Sequence, residues 1–171
     1  VVKFNGDATL AGSMTATSFI GDGSQLTNLP SSGGDSPFSY NSNEAGGIEV
    51  ANYTTASGSR AFAVGNDNLA SGSSSTAMGR GTIASGDNST AMGSNTEATG
   101  DWSTSMGWLT DAEGTTSTAV GRETKASGEN STAMGRGTTA SGTSSTAMGA
   151  ETTASQYSST AMGQLTLASG Y

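Results

Sequence analysis

Glycine recurs in this chain with a strict period. Gly65, Gly79, Gly93, Gly107, Gly121, Gly135, Gly149 and Gly163 fall every 14 residues. A second series runs half a period out of step: Gly58, Gly72, Gly86, Gly100, Gly114, Gly128, Gly142, then Gln156, then Gly170. Two alanine columns keep the same period. One is Ala56, Ala70, Ala84, Ala98, Ala112, Ala126, Ala140, Ala154 and Ala168; the other is Ala63, Ala77, Ala91, Ser105, Ala119, Ala133, Ala147 and Ala161. Residues 52–171 are therefore eight units of 14 residues and a partial ninth, without insertion. Such a period means stacked units that each contact their neighbours.

Composition alone points elsewhere. Gly, Ser and Thr make up nearly half of the chain. Leu, Ile, Val and Phe supply about a tenth of it, below the ~20% at which disorder becomes the default expectation. A single conventional hydrophobic core is excluded, because too few large apolar side chains exist to offset the ordering of the backbone. The period overrides the expectation of disorder.

The unit Arg80-Gly-Thr-Ile-Ala-Ser-Gly86-Asp-Asn-Ser-Thr-Ala-Met-Gly93 shows how stacking works. Thr-x-Ala-Ser-Gly and Ser-Thr-Ala-Met-Gly each fit a short strand, separated by Gly-x-x corners. Glycine at each segment end suits a sharp bend or a positive φ. Two strands and two corners in 14 residues make one coil of a flattened parallel β-solenoid, an all-β fold. Helical solenoids need about 33 residues per repeat. Alternation puts Thr82 with Ala84, and Ser89 with Ala91, on inward faces. The roll interior is then thin and filled by methyls and hydroxyls.

The outward face of the second strand carries two columns. Thr76, Thr90, Thr104, Thr118, Thr132, Thr146 and Thr160 follow Phe62; Met78, Met92, Met106, Val120, Met134, Met148 and Met162 follow Val64. Eight coils at ~4.8 Å each make this an apolar stripe about 40 Å long. A patch of that size is rare on monomers and usually marks an interface. The competing arrangement puts Met inside and Ala in water. Cyclic symmetry joins identical ladders in register, and three copies give the simplest closed prism with one stripe each. These fourteen Thr, Met and Val residues are thus the expected interface of a homotrimer.

The unit Ser-Thr-Ala-Met-Gly-x-x-Thr-x-Ala-Ser-Gly resembles the head repeat of YadA-like trimeric autotransporter adhesins, which reads roughly Ser-Val-Ala-Ile-Gly-x-x-Ser-x-Ala-x-Gly. The resemblance covers 52–171. It implies a left-handed parallel β-roll assembled as a homotrimer, extracellular, and working in cell adhesion. Thr stands where the family often has Val, and Met where it has Ile, which leaves the interface more adaptable. Collagen or matrix binding is not carried over, because no residue marks it.

Residues 1–30 differ from the repeat. Their strand-like segments end in Ala16-Thr-Ser-Phe-Ile-Gly-Asp-Gly-Ser-Gln-Leu-Thr-Asn-Leu-Pro30, which resembles a module recurring in phage tail fibres and related bacterial fibres. The pairing suggests a mosaic trimeric fibre protein of a phage or a predatory bacterium. About 30 residues cannot form a core alone, so this β module expects partner chains. Residues 31–51 read as a linker followed by the cap of the solenoid. With neither an initiator Met nor a signal peptide, the chain reads as a fragment of something longer.

Function classes narrow by charge and chemistry. The net charge of −8 argues against a nucleic-acid partner. No run reaches ~18 apolar residues, so no direct membrane insertion is expected. The chain has no His and no Cys. It therefore lacks the commonest general base, the thiol nucleophile and the usual metal ligands. The acids do not converge. Glu97, Asp111 and Lys125 run in successive coils as a solvated, charge-compensated ladder, and Gly21-Asp22-Gly23-Ser24 lacks the spaced acids of a calcium loop. No enzyme, cofactor or metal is expected. Three sequons, beginning at Asn52, Asn88 and Asn130, are accidents of a Ser/Thr-rich repeat.

Binding residues are sought at the corners. Trp102 and Trp108 flank one strand, where equivalent positions are mostly small or polar. Arg122 and Arg136 follow Trp108 in its column, and Arg80 lies two coils below. Trp and Arg in ~4.8 Å steps could hold an anionic surface polysaccharide by stacking and forked hydrogen bonds. The alternative packs the rings over the corners or a neighbouring chain and pairs the arginines with Glu123. The expected function is a trimeric fibre or adhesin head that attaches to a host or prey cell-surface glycan or protein, on a cell surface or a virion. The competing function is a passive spacer in a longer fibre. Ice binding is a remote third, since the one regular Thr column is paired with Met.

Overall fold

A computed structural model describes residues 53–169 in full, together with the backbone of residues 39–40 and 48–50. The expectations for residues 1–30, and most of those for 31–51, lie outside the described residues.

Two short strands come first: β1 (Ser39–Tyr40) and β2 (Ile48–Val50). Two-residue and five-residue strands then alternate. They are β3 (Thr55–Ala56), β4 (Phe62–Asn66), β5 (Leu69–Ala70), β6 (Thr76–Arg80), β7 (Ile83–Ala84), β8 (Thr90–Ser94), β9 (Glu97–Ala98), β10 (Thr104–Trp108), β11 (Asp111–Ala112), β12 (Thr118–Arg122), β13 (Lys125–Ala126), β14 (Thr132–Arg136), β15 (Thr139–Ala140), β16 (Thr146–Ala150), β17 (Thr153–Ala154), β18 (Thr160–Gln164) and β19 (Leu167–Ala168). The five-residue strands stack into a ten-stranded sheet that begins with β1 and β2. The two-residue strands form a nine-stranded sheet. All pairings are parallel except β1 with β2. Each residue pairs with the one 14 positions on, as in Thr104 with Thr118 and Ala112 with Ala126. This is a parallel β-solenoid of about eight coils.

The period places the core. Every buried hydrophobic residue among the described ones is an alanine. Ala63 to Ala161 line the inside of the long strands, and Ala56 to Ala154 line the short ones. Ser105 interrupts the first series, and its hydroxyl meets the carbonyl oxygen and Oγ1 of Thr110, both at 2.7 Å. The Ser75-type and Thr82-type columns are buried with the alanines. The interior is methyl and hydroxyl, as alternation requires, and the methionines are outside. In the first full coil, Asn68 occupies the buried Thr column. Its amide nitrogen donates to the Val64 and Gly79 carbonyls at 2.8 and 2.9 Å, and its oxygen accepts from Thr82 N and Oγ1 at 3.0 and 2.8 Å. One side chain thus ties two coils together.

The two glycine series meet the expectation of a bend or a positive φ in different ways. The long strands run through their glycine to one further residue, so the chain does not turn there. Gly121 has φ 131°, and a Cβ on it would lie 2.0 Å from the Gly135 carbonyl oxygen. Gly114, in the other series, has no positive φ but opens a turn, its carbonyl oxygen accepting from Ser117 N at 3.0 Å. A Cβ there would lie 2.1 Å from the Gly128 carbonyl oxygen. Close coil stacking explains both series. The left-handed bends fall on other residues, including Asn88 (φ 57°), Asn95 (φ 51°), Trp102 (φ 54°), Leu109 (φ 51°) and Glu123 (φ 55°).

Candidate functional site

Strict register turns each outward position into a straight column. Thr76, Thr90, Thr104, Thr118, Thr132, Thr146 and Thr160 pair in sequence. So do Met78, Met92, Met106, Val120, Met134, Met148 and Met162. Inward alanine between them keeps both columns on the outer surface. Met78, Met106, Val120 and Met148 are half-buried within this chain; Met92 and Met134 are 37% and 38% exposed, and Met162 is 62% exposed. The column is a continuous apolar ridge, flanked by hydroxyl and methyl groups of threonine.

The corner after the long strand gathers the predicted ridge. Trp108 ends β10, pairs with Arg122 at the end of β12, and Arg122 pairs with Arg136 at the end of β14. The Arg122 guanidinium carbon lies 4.9 Å from the Trp108 ring centroid, a cation–π contact. Both arginines also meet carboxylates. Arg122 Nη2 lies 3.2 Å from Glu123 Oε1, and Arg136 Nη2 lies 2.8 Å from Glu151 Oε1. The expected pairing with Glu123 holds for Arg122, whereas Arg136 uses Glu151 from the next coil. Trp108 remains 40% exposed and its neighbour Leu109 41%.

Trp102 stands at the opposite end of β10 and is 60% exposed. Its backbone N–H donates to the Asp87 carbonyl oxygen at 2.8 Å. Around it, Asp101 Oδ1 accepts from Asp87 N at 2.9 Å, and Asp87 Oδ1 accepts from Ser73 N at 2.8 Å. These aspartates brace successive corners. The structure therefore brings Trp108, Arg122 and Arg136 together and leaves Trp102 a strand's length away. Leu109 escaped the sequence reading, and so did the pairing of the corner acid Glu151 with Arg136. Leu109 is visible as the one Leu in its column before the last coil, and Glu151 as the acid one residue past the next coil's equivalent of Arg136.

The acidic ladder on the short-strand face has the expected register, Glu97 with Asp111 and Asp111 with Lys125. Lys125, however, pairs through Nζ with Glu113 Oε1. Burial pushes the Asp111 carboxyl above its ordinary range; Lys125 opposes the rise and Glu113 adds to it. Among the described residues no group of three or more acids could hold a metal ion. No helix among them is long and apolar enough to cross a membrane.

The repeat matches a known family model, the YadA head domain repeat (2 copies), four times in succession, over residues 56–82, 84–110, 112–138 and 140–166. No curated protein matches the chain. Each matched block spans two coils, and its boundaries keep the 14-residue phase of the glycine and alanine columns. With more than half of its length matched in phase with its own coils, the chain belongs to the YadA head domain family.

Proposed function

We propose that the chain is the head of an extracellular trimeric fibre, and that it attaches to a cell surface through surface glycans. The observation that carries this is the surface column from Met78 to Met162 in a chain built of YadA head repeats. Three copies closing on that column bury it around a shared axis, which removes an apolar ridge from water without distorting any coil. The handedness of the roll follows the family, and residues 1–30 serve as a fibre module joined to the head. Trp108, on the corner ridge two residues beyond the Met column, and Trp102, at the opposite end of β10, offer flat faces to sugar rings.

Mass by light scattering and glycan arrays test the two halves separately. The intact protein should have three times the chain mass. Met106→Asp should lower it by placing a charge against two sister copies. A folded trimer from that variant refutes the assignment of the stripe. On arrays, Trp102→Ala and Trp108→Ala should reduce binding. Uniformly blank arrays with an intact trimer mean that this segment is a spacer and recognition lies elsewhere on the fibre.

A further inference from the structure

We propose that Arg80, Ser94 and Trp108 form a cradle for one carboxylated pyranose at the end of a glycan chain; this rests on the adhesive reading above. The three residues are consecutive in one column, Arg80 paired with Ser94 and Ser94 with Trp108. Arg122, from the coil above, lies over one face of the Trp108 ring. That face is turned up the stack, so the other is turned down toward Ser94. A serine is too small to cover an indole, and the ring stays 40% exposed.

Arg80 completes the cradle from below. Its Nη2 reaches across the coil boundary to Ser94 Oγ at 3.3 Å, longer than the usual ~2.7–3.2 Å of such bonds and readily exchanged for a better acceptor. The column holds three arginines. Arg122 and Arg136 are each held by a glutamate. Arg80 is in no ion pair among the described residues, so its charge is uncommitted. The free guanidinium therefore stands beneath the uncovered aromatic face.

The chemistry selects the ligand. An apolar sugar face stacks on an indole, and a carboxylate takes a forked pair of hydrogen bonds from a guanidinium. Arg80 and Trp108 are two coil rises apart, about 9.6 Å. A ring in van der Waals contact below the indole, at ~3.5–4.0 Å, leaves room for its carboxylate to meet the guanidinium. Ser94 Oγ, released by Arg80, can bond a ring hydroxyl. A long polyanion is disfavoured: the chain carries −8, and Glu123 and Glu151 flank the coils above. A single terminal acidic sugar brings one charge, placed at Arg80, and does not extend to those coils.

The test uses the intact protein and three polymer-displayed sugars at equal density: N-acetylneuraminic acid, glucuronic acid and uncharged glucose. The acidic conjugates should bind and glucose should not. Arg80→Gln and Trp108→Ala should each weaken binding about tenfold or more, Arg80→Lys should recover only part, and Lys125→Gln, a cation lost from the other sheet, should change nothing. Circular dichroism confirms that each variant keeps its fold. Equal binding of glucose, or loss with Lys125→Gln but not with Arg80→Gln, overturns the cradle while the adhesive reading stands. Failure of every conjugate also overturns it, and the adhesive reading falls with it only if a broad glycan array is blank as well.

Discussion

Replacing Gly121 by alanine should break the stack at one plane. The added Cβ would sit 2.0 Å from the Gly135 carbonyl oxygen and 2.9 Å from its carbon. Both are backbone atoms, so no rotamer change relieves the clash. The next coil must retreat by about an ångström to reach even a tight contact. The bonds between these two coils include Thr118 N to Ser131 O at 2.9 Å, Lys125 N to Thr138 O at 2.8 Å and Gly137 N to Arg122 O at 2.8 Å. Stretched by that amount, they leave the ~3.2 Å limit of a good hydrogen bond. At about 1 kcal/mol each, three lost bonds cost about 3 kcal/mol. Holding alanine at φ 131° adds about 1–3 kcal/mol. The total, about 4–6 kcal/mol, is a large share of the ~5–15 kcal/mol that holds a typical domain together.

Gly137→Ala supplies the control. Its φ is 62°, and a Cβ there meets nothing nearer than Glu151 Cγ at 3.4 Å. It should cost only the left-handed penalty, about 1–2 kcal/mol. Urea unfolding followed by circular dichroism, at one protein concentration because assembly adds to apparent stability, reads the difference. Gly121→Ala should also turn one transition into two, since the blocks on either side keep their own neighbours. Equal losses for the two variants would refute the claim that coil spacing, rather than backbone conformation, selects glycine in this column.

Other substitutions test the interior, the corners and the charge ladder. Ser105→Ala restores the residue typical of its column, yet it should destabilise by about 1–2 kcal/mol, because Thr110 loses its hydroxyl partner; the denaturation midpoint reads this. Leu109→Asn should stabilise by about 0.5–1 kcal/mol in thermal melts, since asparagine tolerates the left-handed bend and the leucine is only partly covered, at 41% exposure. Asp111→Asn tests the raised carboxyl. A raised acid contributes stability that is full below the ordinary carboxylate range and lost as pH rises through its folded value. The variant should therefore be the more stable one at neutral pH, by less than about 1 kcal/mol at this part-exposed position. The gap should close in acid, and a gap that widened there would refute burial as the cause.

Periodicity made the solenoid legible because a 14-residue stack allows each column one environment. Ala119 and Ser117 are never replaced by anything large, and both are buried. Met106 varies only to valine, as an apolar contact column should. Glycine was harder to read. Gly114 and Gly121 look alike in sequence, but only Gly121 has a positive φ, and only Gly114 opens a turn, closed by Ser117 N donating to its carbonyl oxygen. The true bends carry Asn, Glu, Trp and Leu, residues with no common signature. At the site, the shared column of Trp108, Arg122 and Arg136 followed from the period alone. Which arginine is neutralised did not, because Glu151 reaches Arg136 across a coil boundary, and side-chain reach has no period.

An interior of alanine, serine and threonine has a thermal consequence. The heat capacity released on unfolding tracks the apolar surface that opens to solvent, and is typically about 12–15 cal/mol/K per residue. A roll in which every buried hydrophobic residue among the described ones is an alanine has little such surface to open. The free-energy curve of the single roll is therefore weakly curved, and its cold-denaturation limit lies further below its stability maximum than in a conventional domain.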